Sequence, residues 1–229
     1  MKIIFVRHGH PNYKEDCLTE LGHLHAEAAA ERLKDEKIDA FYSSTCGRAV
    51  ETAEHIANRF SAQVEQLEFM REISWRPVDP EEEFAHNGNP WLVTGDMVAQ
   101  GKSIADPNWK EQDPFCHSKI LQSFDKVETG FDTWLSQFGY YREGEYYRVK
   151  GGSDKTVLLA SHAGSSTVVM SHLLNLPPLV MFRGMGPNYT GITVVEISGE
   201  DGDLTFPSVD LFNDARHIEG LETKVVFDN

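Results

Sequence analysis

The sequence has little cysteine and no long apolar run, and each shortage excludes a class of protein. Its 229 residues contain three cysteines, Cys17, Cys46 and Cys116, which are too few and too scattered for a disulfide framework or a zinc finger. No stretch approaches the roughly 20 apolar residues that a membrane span needs. The apolar residues 3–6 are too few for a signal peptide. We therefore expect free thiols, no membrane partner and a cytoplasmic location.

Basic residues are also scarce. Lysine and arginine number 21 against 36 aspartates and glutamates, so the formal net charge is −15. A charge of this sign opposes binding to nucleic acids, although it leaves room for a small basic pocket. Hydrophobic residues make up 40% of the chain, which argues against disorder. No internal repeat or low-complexity tract interrupts the sequence, and no glycine-rich nucleotide signature precedes a helix.

Short apolar runs alternate with helical periodicities along the chain. The predicted buried strands are residues 3–6, 38–43, 157–160 and 190–197. The predicted helices are residues 20–34, opened by Thr19, residues 47–60, capped by Ser44 or Thr45, residues 117–138 and residues 165–174. This order predicts an α/β fold of three layers with a mostly parallel central sheet.

We expect one domain over residues 1–229. Residues 74–116, which hold five prolines and three tryptophans, are expected to form an irregular excursion that caps the site. Residues 204–209 are a candidate hairpin partner for the last strand. Residues 140–150 predict a hairpin around a glycine turn, either a flap over the site or a solvated hairpin packed on its tyrosines.

Three of the predicted strands end in residues that bind anions. Arg7 and His8 follow the first strand, Arg48 opens the helix after the second, and His162 follows the third. The carboxyl ends of neighbouring parallel strands meet at one edge of the sheet, where ligands bind. Two arginines and two histidines would then form a cationic pocket, and the arginine fork matches phosphoryl oxygens. Helices that begin just after these strands would add backbone N–H donors.

The motifs together resemble the histidine phosphatase superfamily, the phosphoglycerate mutase-like enzymes. The matching segments, in chain order, are residues 5–10 (Phe-Val-Arg-His-Gly-His), 18–22 (Leu-Thr-Glu-Leu-Gly), 43–53 (Ser-Ser-Thr-Cys-Gly-Arg-Ala-Val-Glu-Thr-Ala), 70–73 (Met-Arg-Glu-Ile) and 161–164 (Ser-His-Ala-Gly). The resemblance implies a phosphoglycerate mutase-like fold.

The resemblance also implies the roles of individual residues. His8 would be the nucleophile that takes the phosphoryl group, and Glu72 would protonate the leaving oxygen and later deprotonate water. The expected phosphate or substrate contacts are Arg7, Arg48, His162, Asn12, Gly9 and Ala163. No metal and no organic cofactor is implied. A neutral imidazole can attack phosphorus if one nitrogen is unprotonated and an acceptor holds the other.

Some positions depart from the family pattern. Lys14 stands six residues past His8, where many members have a phosphate-binding asparagine, so Asn12 is the substitute candidate. His10 is either a substrate contact or a loop residue. Three acids that follow Glu72 could compete with it as the proton donor; they are Glu81, Glu82 and Glu83. The pair His23 and His25 lies two apart on a helix and is a poor metal site.

These features predict a phosphomonoesterase that acts on a small phosphorylated metabolite through a phosphohistidine on His8. A phosphoglycerate mutase is the first alternative, although residues 77–116 carry only Lys102 and Lys110 as basic residues. A catalytically silent module that binds a phosphorylated ligand or a partner is the second. A phosphoprotein substrate also stays open.

Overall fold

A computed structural model describes residues 1–221 of the chain. The strands are β1 (Lys2–Arg7), β2 (Pro11–Asn12), β3 (Cys17–Leu18), β4 (Ala40–Ser44), β5 (Val64–Leu67), β6 (Tyr140–Glu143), β7 (Tyr146–Val149), β8 (Thr156–Ser161), β9 (Ile192–Glu196), β10 (Leu204–Thr205) and β11 (Ser208–Asp214). The α-helices are α1 (Glu20–Leu33), α2 (Gly47–Asn58), α3 (Pro90–Ala99), α4 (Ile120–Ser136), α5 (Ala163–Leu174) and α6 (Pro178–Gly184). The last eight positions of the predicted domain, residues 222–229, lie outside the described residues.

A six-stranded sheet forms the centre of the molecule, in the order β11-β9-β1-β8-β4-β5. Strands β1, β8, β4 and β5 pair in parallel, whereas β9 runs antiparallel to both β1 and β11. The prediction of a mostly parallel α/β sheet is thereby confirmed. Among residues 1–221, no helix is both long and apolar enough to cross a bilayer.

Helices cover both faces of the sheet, because successive side chains of a buried strand point to opposite sides. In β1, Ile3 and Phe5 join the core formed with α4 and α5, while Ile4 and Val6 join the core formed with α1 and α2. Strands buried on both faces read as continuous apolar runs, which is why β1 and β8 are recognisable in the sequence. This arrangement is the predicted three-layer sandwich.

Local signals place several elements correctly. The side chain of Thr19 accepts a hydrogen bond from the backbone N–H of Gly22 and caps α1, as predicted. In and just beyond α4, the predicted apolar stripe is buried at every position, namely Ile120, Phe124, Val127, Phe131, Trp134 and Phe138. Burial of this stripe anchors α4 on the sheet, since apolar contact supplies most of the stability of such a helix.

Three predictions need correction. The N-cap of α2 is Cys46, whose side chain makes no capping hydrogen bond. Ser44 lies two positions earlier, and its hydroxyl is bonded instead to the Cys46 N–H and to His162. Residues 74–116 are not irregular throughout, since they include α3, whose N-cap Asn89 accepts from Trp91 and Leu92. The strand that pairs with β9 is residues 208–214, while residues 204–205 pair with β7.

The hairpin of residues 140–150 forms as β6 and β7, but far from the predicted site. The Tyr140 hydroxyl lies 3.4 Å from the amino group of Met1, at the start of β1. Arg142 donates to the carbonyl of His172 and to Asn175, at the last turn of α5. The ends of β1 and α5 that carry the site motifs are their opposite ends, so the hairpin is not a flap over the site. Tyr147 is fully buried, in line with the packed-hairpin alternative.

Candidate active site

The three motif-bearing strands are neighbours in the sheet and run in the same direction. In the parallel register Arg7 lies opposite Ser161, and Ser43 lies opposite Ala160. The residues that follow each strand therefore emerge together at one edge of the sheet. The rings of His8 and His162 lie 5.2 Å apart, measured between centroids. The structure therefore brings the three motifs together, as predicted.

The ring of His8 is buried and held in one orientation. Its Nδ1 lies 2.7 Å from the carbonyl oxygen of Gly9. Because a carbonyl only accepts hydrogen bonds, the hydrogen-bond network assigns the ring proton to Nδ1 and leaves the lone pair on Nε2. Burial, followed by the charges of Arg7, His162 and Arg48, holds the pKa of His8 well below 6.5. The imidazole is consequently neutral at physiological pH, with an unprotonated Nε2.

His162 is held by a hydroxyl at the end of β4. Its Nε2 lies 2.8 Å from the Ser44 hydroxyl, which also accepts from the Cys46 N–H. The Ser44 proton can therefore point to Nε2, which leaves the ring proton of His162 on Nδ1. This Nδ1 is buried and has no hydrogen-bond partner in the described chain. Burial, with Arg48 and Arg7, lowers the pKa of His162 well below 6.5, so the ring is a neutral donor.

Arg7 is fixed by its backbone and aromatic surroundings. One terminal nitrogen donates to the Pro187 carbonyl at 2.8 Å, and the guanidinium lies 4.2 Å from the ring centre of Tyr189. A cation over an aromatic face is stabilised by the ring quadrupole. The buried Nε of Arg7 has no partner within residues 1–221. Nothing in the sequence around Tyr189 signalled this contact, which depends on the loop between α6 and β9.

Arg48 lies in the first turn of α2 and is almost fully buried. It pairs with the carboxylate of Asp16, which also accepts from the Gly47 N–H at 2.9 Å. Asp16 thus neutralises part of Arg48 and caps α2 from outside the helix. The Arg48 Nε is buried and has no partner among the described residues. No local pattern points to Asp16, since Asp16 and Arg48 are 32 positions apart.

Glu72 places its carboxylate at the amino end of α5. It accepts from the backbone N–H groups of Ser165 at 3.1 Å and Gly164 at 3.3 Å. A Cβ on Gly164 would lie 2.4 Å from Glu72 Oε1, so only glycine leaves room for this contact. Burial raises the pKa of Glu72, against the opposing pull of the backbone hydrogen bonds, Arg48 and Arg7.

The three acids that follow Glu72 lie outside this site. Glu81, Glu82 and Glu83 are all exposed, in the loop before Phe84. The backbone N–H of Glu81 is bonded to the side chain of Asp79, and that of Glu82 to the Asp79 carbonyl. Of the four candidate proton donors, Glu72 is the one that lies beside Arg7, Arg48 and the second histidine motif.

Other predicted contacts are placed differently. The side-chain oxygen of Asn12 accepts hydrogen bonds from the backbone N–H groups of Lys14 and Glu15, so this amide caps its own exposed loop. His10 Nδ1 lies 2.9 Å from the Thr19 hydroxyl, a loop contact at the start of α1. Within the described hydrogen bonds, neither side chain reaches Arg7, Arg48 or His162.

Gly9 and Ala163 both adjoin the two histidines. The N–H of Gly9 donates to Thr52 at 3.1 Å, and a Cβ on Gly9 would lie 2.5 Å from the Gly22 carbonyl oxygen. The glycine therefore lets the loop after β1 pack against α1. Ala163 is buried and begins α5, directly after His162.

The amino-terminal part of the chain matches a known protein family. Residues 3–101 match the family model described as the histidine phosphatase superfamily, branch 1. A 2,3-bisphosphoglycerate-dependent phosphoglycerate mutase of Brucella anthropi is 27% identical over 191 residues, which cover 77% of this chain and 82% of the mutase.

Solved structures share the fold over nearly the whole chain. A phosphoserine phosphatase of Entamoeba histolytica, solved with 3-phosphoglyceric acid, has a TM-score of 0.61 at 22% identity and covers 95% of this chain and 98% of its own. A mycobacterial glucosyl-3-phosphoglycerate phosphatase has a TM-score of 0.64 at 20% identity, with coverage of 93% and 98%. The alpha-ribazole phosphatase of Shigella flexneri has a TM-score of 0.62 at 18% identity, with coverage of 94% and 97%.

The motifs, the matched segment and the fold lead to one assignment. The segment that matches the family carries Arg7, His8, Arg48 and Glu72, and His162 completes the same site from β8. The resemblance to the histidine phosphatase superfamily is therefore confirmed over residues 3–101, and the solved structures share the fold over almost the full length of the chain.

Proposed function

We propose that this protein is a metal-independent phosphomonoesterase that acts through a phosphohistidine on His8. One observation carries the proposal: a neutral, oriented His8 lies beside Arg7, Arg48 and His162, each of which has a buried N–H donor with no partner among residues 1–221. Buried donors are normally satisfied, so three at one place indicate a site for an anion with several acceptor oxygens. A phosphoryl group has this chemistry.

The first step of the proposed reaction forms the phosphohistidine. His8 Nε2 donates its lone pair to phosphorus while the bond from phosphorus to the leaving oxygen breaks. Charge on the equatorial oxygens is stabilised by Arg7, Arg48 and the Nδ1–H of His162, which are already in place before the reaction. Protonated Glu72 gives its proton to the leaving oxygen, and the free alcohol departs.

The second step hydrolyses the phosphohistidine. A water molecule attacks phosphorus, the bond to His8 Nε2 breaks, and the Glu72 carboxylate accepts the proton that water releases. Inorganic phosphate leaves, and both His8 and Glu72 return to their starting protonation states. The two roles of Glu72 suit a carboxyl group whose pKa is raised by burial but whose anion is held by two backbone N–H groups.

The proposed substrate is a small phosphorylated metabolite. Support comes from the solved relatives, which are named for phosphoserine, glucosyl-3-phosphoglycerate and alpha-ribazole phosphate hydrolysis. We further propose that residues 74–116 cap the site, since Trp91 of α3 packs on Phe182 and the loop after α6 supplies the carbonyl that holds Arg7. The three free thiols favour a cytoplasmic location.

A mutase is the second candidate, favoured by the Brucella anthropi relative. A mutase must hold its substrate's carboxylate while the phosphoryl group returns to the sugar acid. In residues 77–116 the two basic side chains are Lys102 and Lys110, and both are exposed. Hydrolysis therefore has more support from the site than return transfer does.

The test is hydrolysis of p-nitrophenyl phosphate in excess EDTA, together with isotope exchange between 2- and 3-phosphoglycerate. We expect one free phosphate for each p-nitrophenol released. We expect no isotope exchange between 2- and 3-phosphoglycerate at a rate above that of hydrolysis. Exchange without phosphate release would identify a mutase. Phosphate binding without turnover on a broad substrate panel would identify a binding module.

Glu72→Gln tests the proton donor. We expect the hydrolysis of alkyl phosphates to fall by about 10²–10⁴-fold, because their leaving oxygen needs a proton. Hydrolysis of p-nitrophenyl phosphate should fall far less, since p-nitrophenolate leaves unprotonated. Glutamine has nearly the same size and keeps an acceptor oxygen for one of the two α5 N–H groups. Equal losses on both substrates would contradict the role.

The same pair of enzymes predicts a pH dependence. Acid catalysis needs protonated Glu72, whose pKa is raised, so the wild-type advantage over Glu72→Gln on alkyl phosphates should decline as pH rises. Attack needs neutral His8, whose pKa is well below 6.5, so protonation of His8 should limit the rate only in more acidic solution. Steady-state kinetics of both enzymes across pH, compared as a ratio, removes the effect of substrate ionisation.

A further inference from the structure

Three side chains of metal-binding types meet on one turn, and none of them belongs to the proposed active site. Asp113, Cys116 and His117 follow one another before α4, and one donor atom of each lies within 4.8 Å of the others. Cys116 Sγ lies 3.3 Å from Asp113 Oδ1, and His117 Nε2 lies 3.6 Å from the same oxygen. In the described part of the chain this is the one such group of three.

The two separations from Asp113 Oδ1 fit a tetrahedral zinc ion. Zinc bonds of about 2.3 Å to sulfur and about 2.0 Å to nitrogen and oxygen place neighbouring ligand atoms about 3.3–3.6 Å apart at the tetrahedral angle. The two separations given above fall in this range. Thiolate, imidazole and carboxylate are also the ligands that zinc takes, whereas magnesium and calcium take oxygen.

The backbone that carries the three side chains is held in place. Phe115, between Asp113 and Cys116, is buried and packs edge-on against Trp109 at 5.4 Å. The N–H of Cys116 donates to the Gln112 carbonyl, and the His117 carbonyl accepts from Val78 at 2.8 Å. The donors therefore need only small side-chain rotations to share an ion, which lowers the entropic cost of binding.

The local charge favours a cation. The Cys116 thiol donates its proton toward the Asp113 carboxylate, and the Glu82 carboxylate adds a second negative charge nearby. A divalent cation would replace that proton, releasing one H⁺ as the sulfur–metal bond forms. The Asp113 carboxylate and the Cys116 thiolate, each with one negative charge, then neutralise the two positive charges of the ion.

We propose that Asp113, Cys116 and His117 form a surface site for a thiophilic divalent cation, with zinc as the expected ion and water as the fourth ligand. All three ligands are partly or largely exposed, so the ion can enter and leave freely. The site lies at the carboxyl end of the 74–116 excursion, where Pro77 pairs with Ser118. It is independent of the phosphatase proposal.

Cobalt(II) titration of the reduced, metal-free protein tests the site. We expect a thiolate-to-cobalt charge-transfer band that one equivalent of zinc removes. Cys116→Ser should abolish the band, and His117→Ala should weaken cobalt binding by at least about 10–100-fold, the loss typical of an outer-shell partner alone. Cys17→Ser, which removes another partly exposed thiol, is the matched control and should keep the band.

A band that is missing in the wild type, or that persists in Cys116→Ser, would overturn the proposal. Hydrolysis of p-nitrophenyl phosphate in EDTA by Cys116→Ser should equal that of the wild type. This activity measurement separates the two proposals, because loss of the metal band leaves the phosphatase result untouched.

Discussion

Replacement of His8 by alanine is expected to lower turnover of p-nitrophenyl phosphate by at least about 10⁴-fold, the scale of loss when a covalent nucleophile is removed. The physical reason is specific to this ring. Its Nδ1–H is held by the Gly9 carbonyl, which leaves the lone pair on Nε2, and the ring lies beside Arg7, Arg48 and His162. His162 cannot supply a second lone pair, because its Nε2 is bonded to the Ser44 hydroxyl and its proton is on Nδ1.

The intermediate itself should be visible. Brief reaction of the wild type with radiolabelled substrate, followed by alkaline denaturation, should trap an acid-labile phosphoryl label on protein, and His8→Ala should show none. His10→Ala is the matched control, since His10 is two residues away but bonds to Thr19. This control should keep the label and most of the activity.

Folding of the His8 variant needs its own measurement because the ring is buried. Circular dichroism and inorganic phosphate binding show whether the remaining donors of Arg7, Arg48 and His162 are still in place. A folded, phosphate-binding His8→Ala enzyme that hydrolyses substrate at the wild-type rate would refute the covalent mechanism. Full label on the variant would place the nucleophile elsewhere.

Arg48→Ala is the second large effect that we expect. Loss of one preorganised donor to a developing charge costs about 3–4 kcal/mol, or roughly 10²–10³ in kcat. Arg48→Lys should recover only part of this loss, since an ammonium keeps the charge but not the planar fork. Steady-state kinetics with p-nitrophenyl phosphate measure both variants. If lysine restores the full rate, the site needs a charge at this position and not the fork.

Asp16→Asn is the control for this experiment, because it removes the anion that pairs with Arg48 and keeps the guanidinium. Asparagine can still accept from the Gly47 N–H, so α2 keeps its cap. With the competing carboxylate gone, the inhibition constant for inorganic phosphate should fall about two- to fivefold, the worth of a partly exposed ion pair. A higher inhibition constant for phosphate would instead indicate that Asp16 positions Arg48.

The sequence by itself determined the parts of the fold that depend on near neighbours. Continuous apolar runs predicted β1 and β8, the hydroxyl of Thr19 predicted the start of α1, and the 3.6-residue period predicted the buried face of α4. The site was predictable to the same extent. Once parallel strands are inferred, their carboxyl ends meet at one edge, so Arg7, His8 and His162 had to approach each other.

Only the tertiary structure decided which groups hold these side chains. Asp16 reaches Arg48 across 32 residues, and Glu72 reaches the N–H groups of Gly164 and Ser165 across more than 90. The hairpin of residues 140–150 lies at the far end of the sheet because Tyr140 meets Met1 there. A sequence pattern predicts the helix or strand to which a residue belongs, because the contacts behind it join residues about four positions apart at most. The orientation of a catalytic ring or carboxylate depends on partners that packing alone brings together.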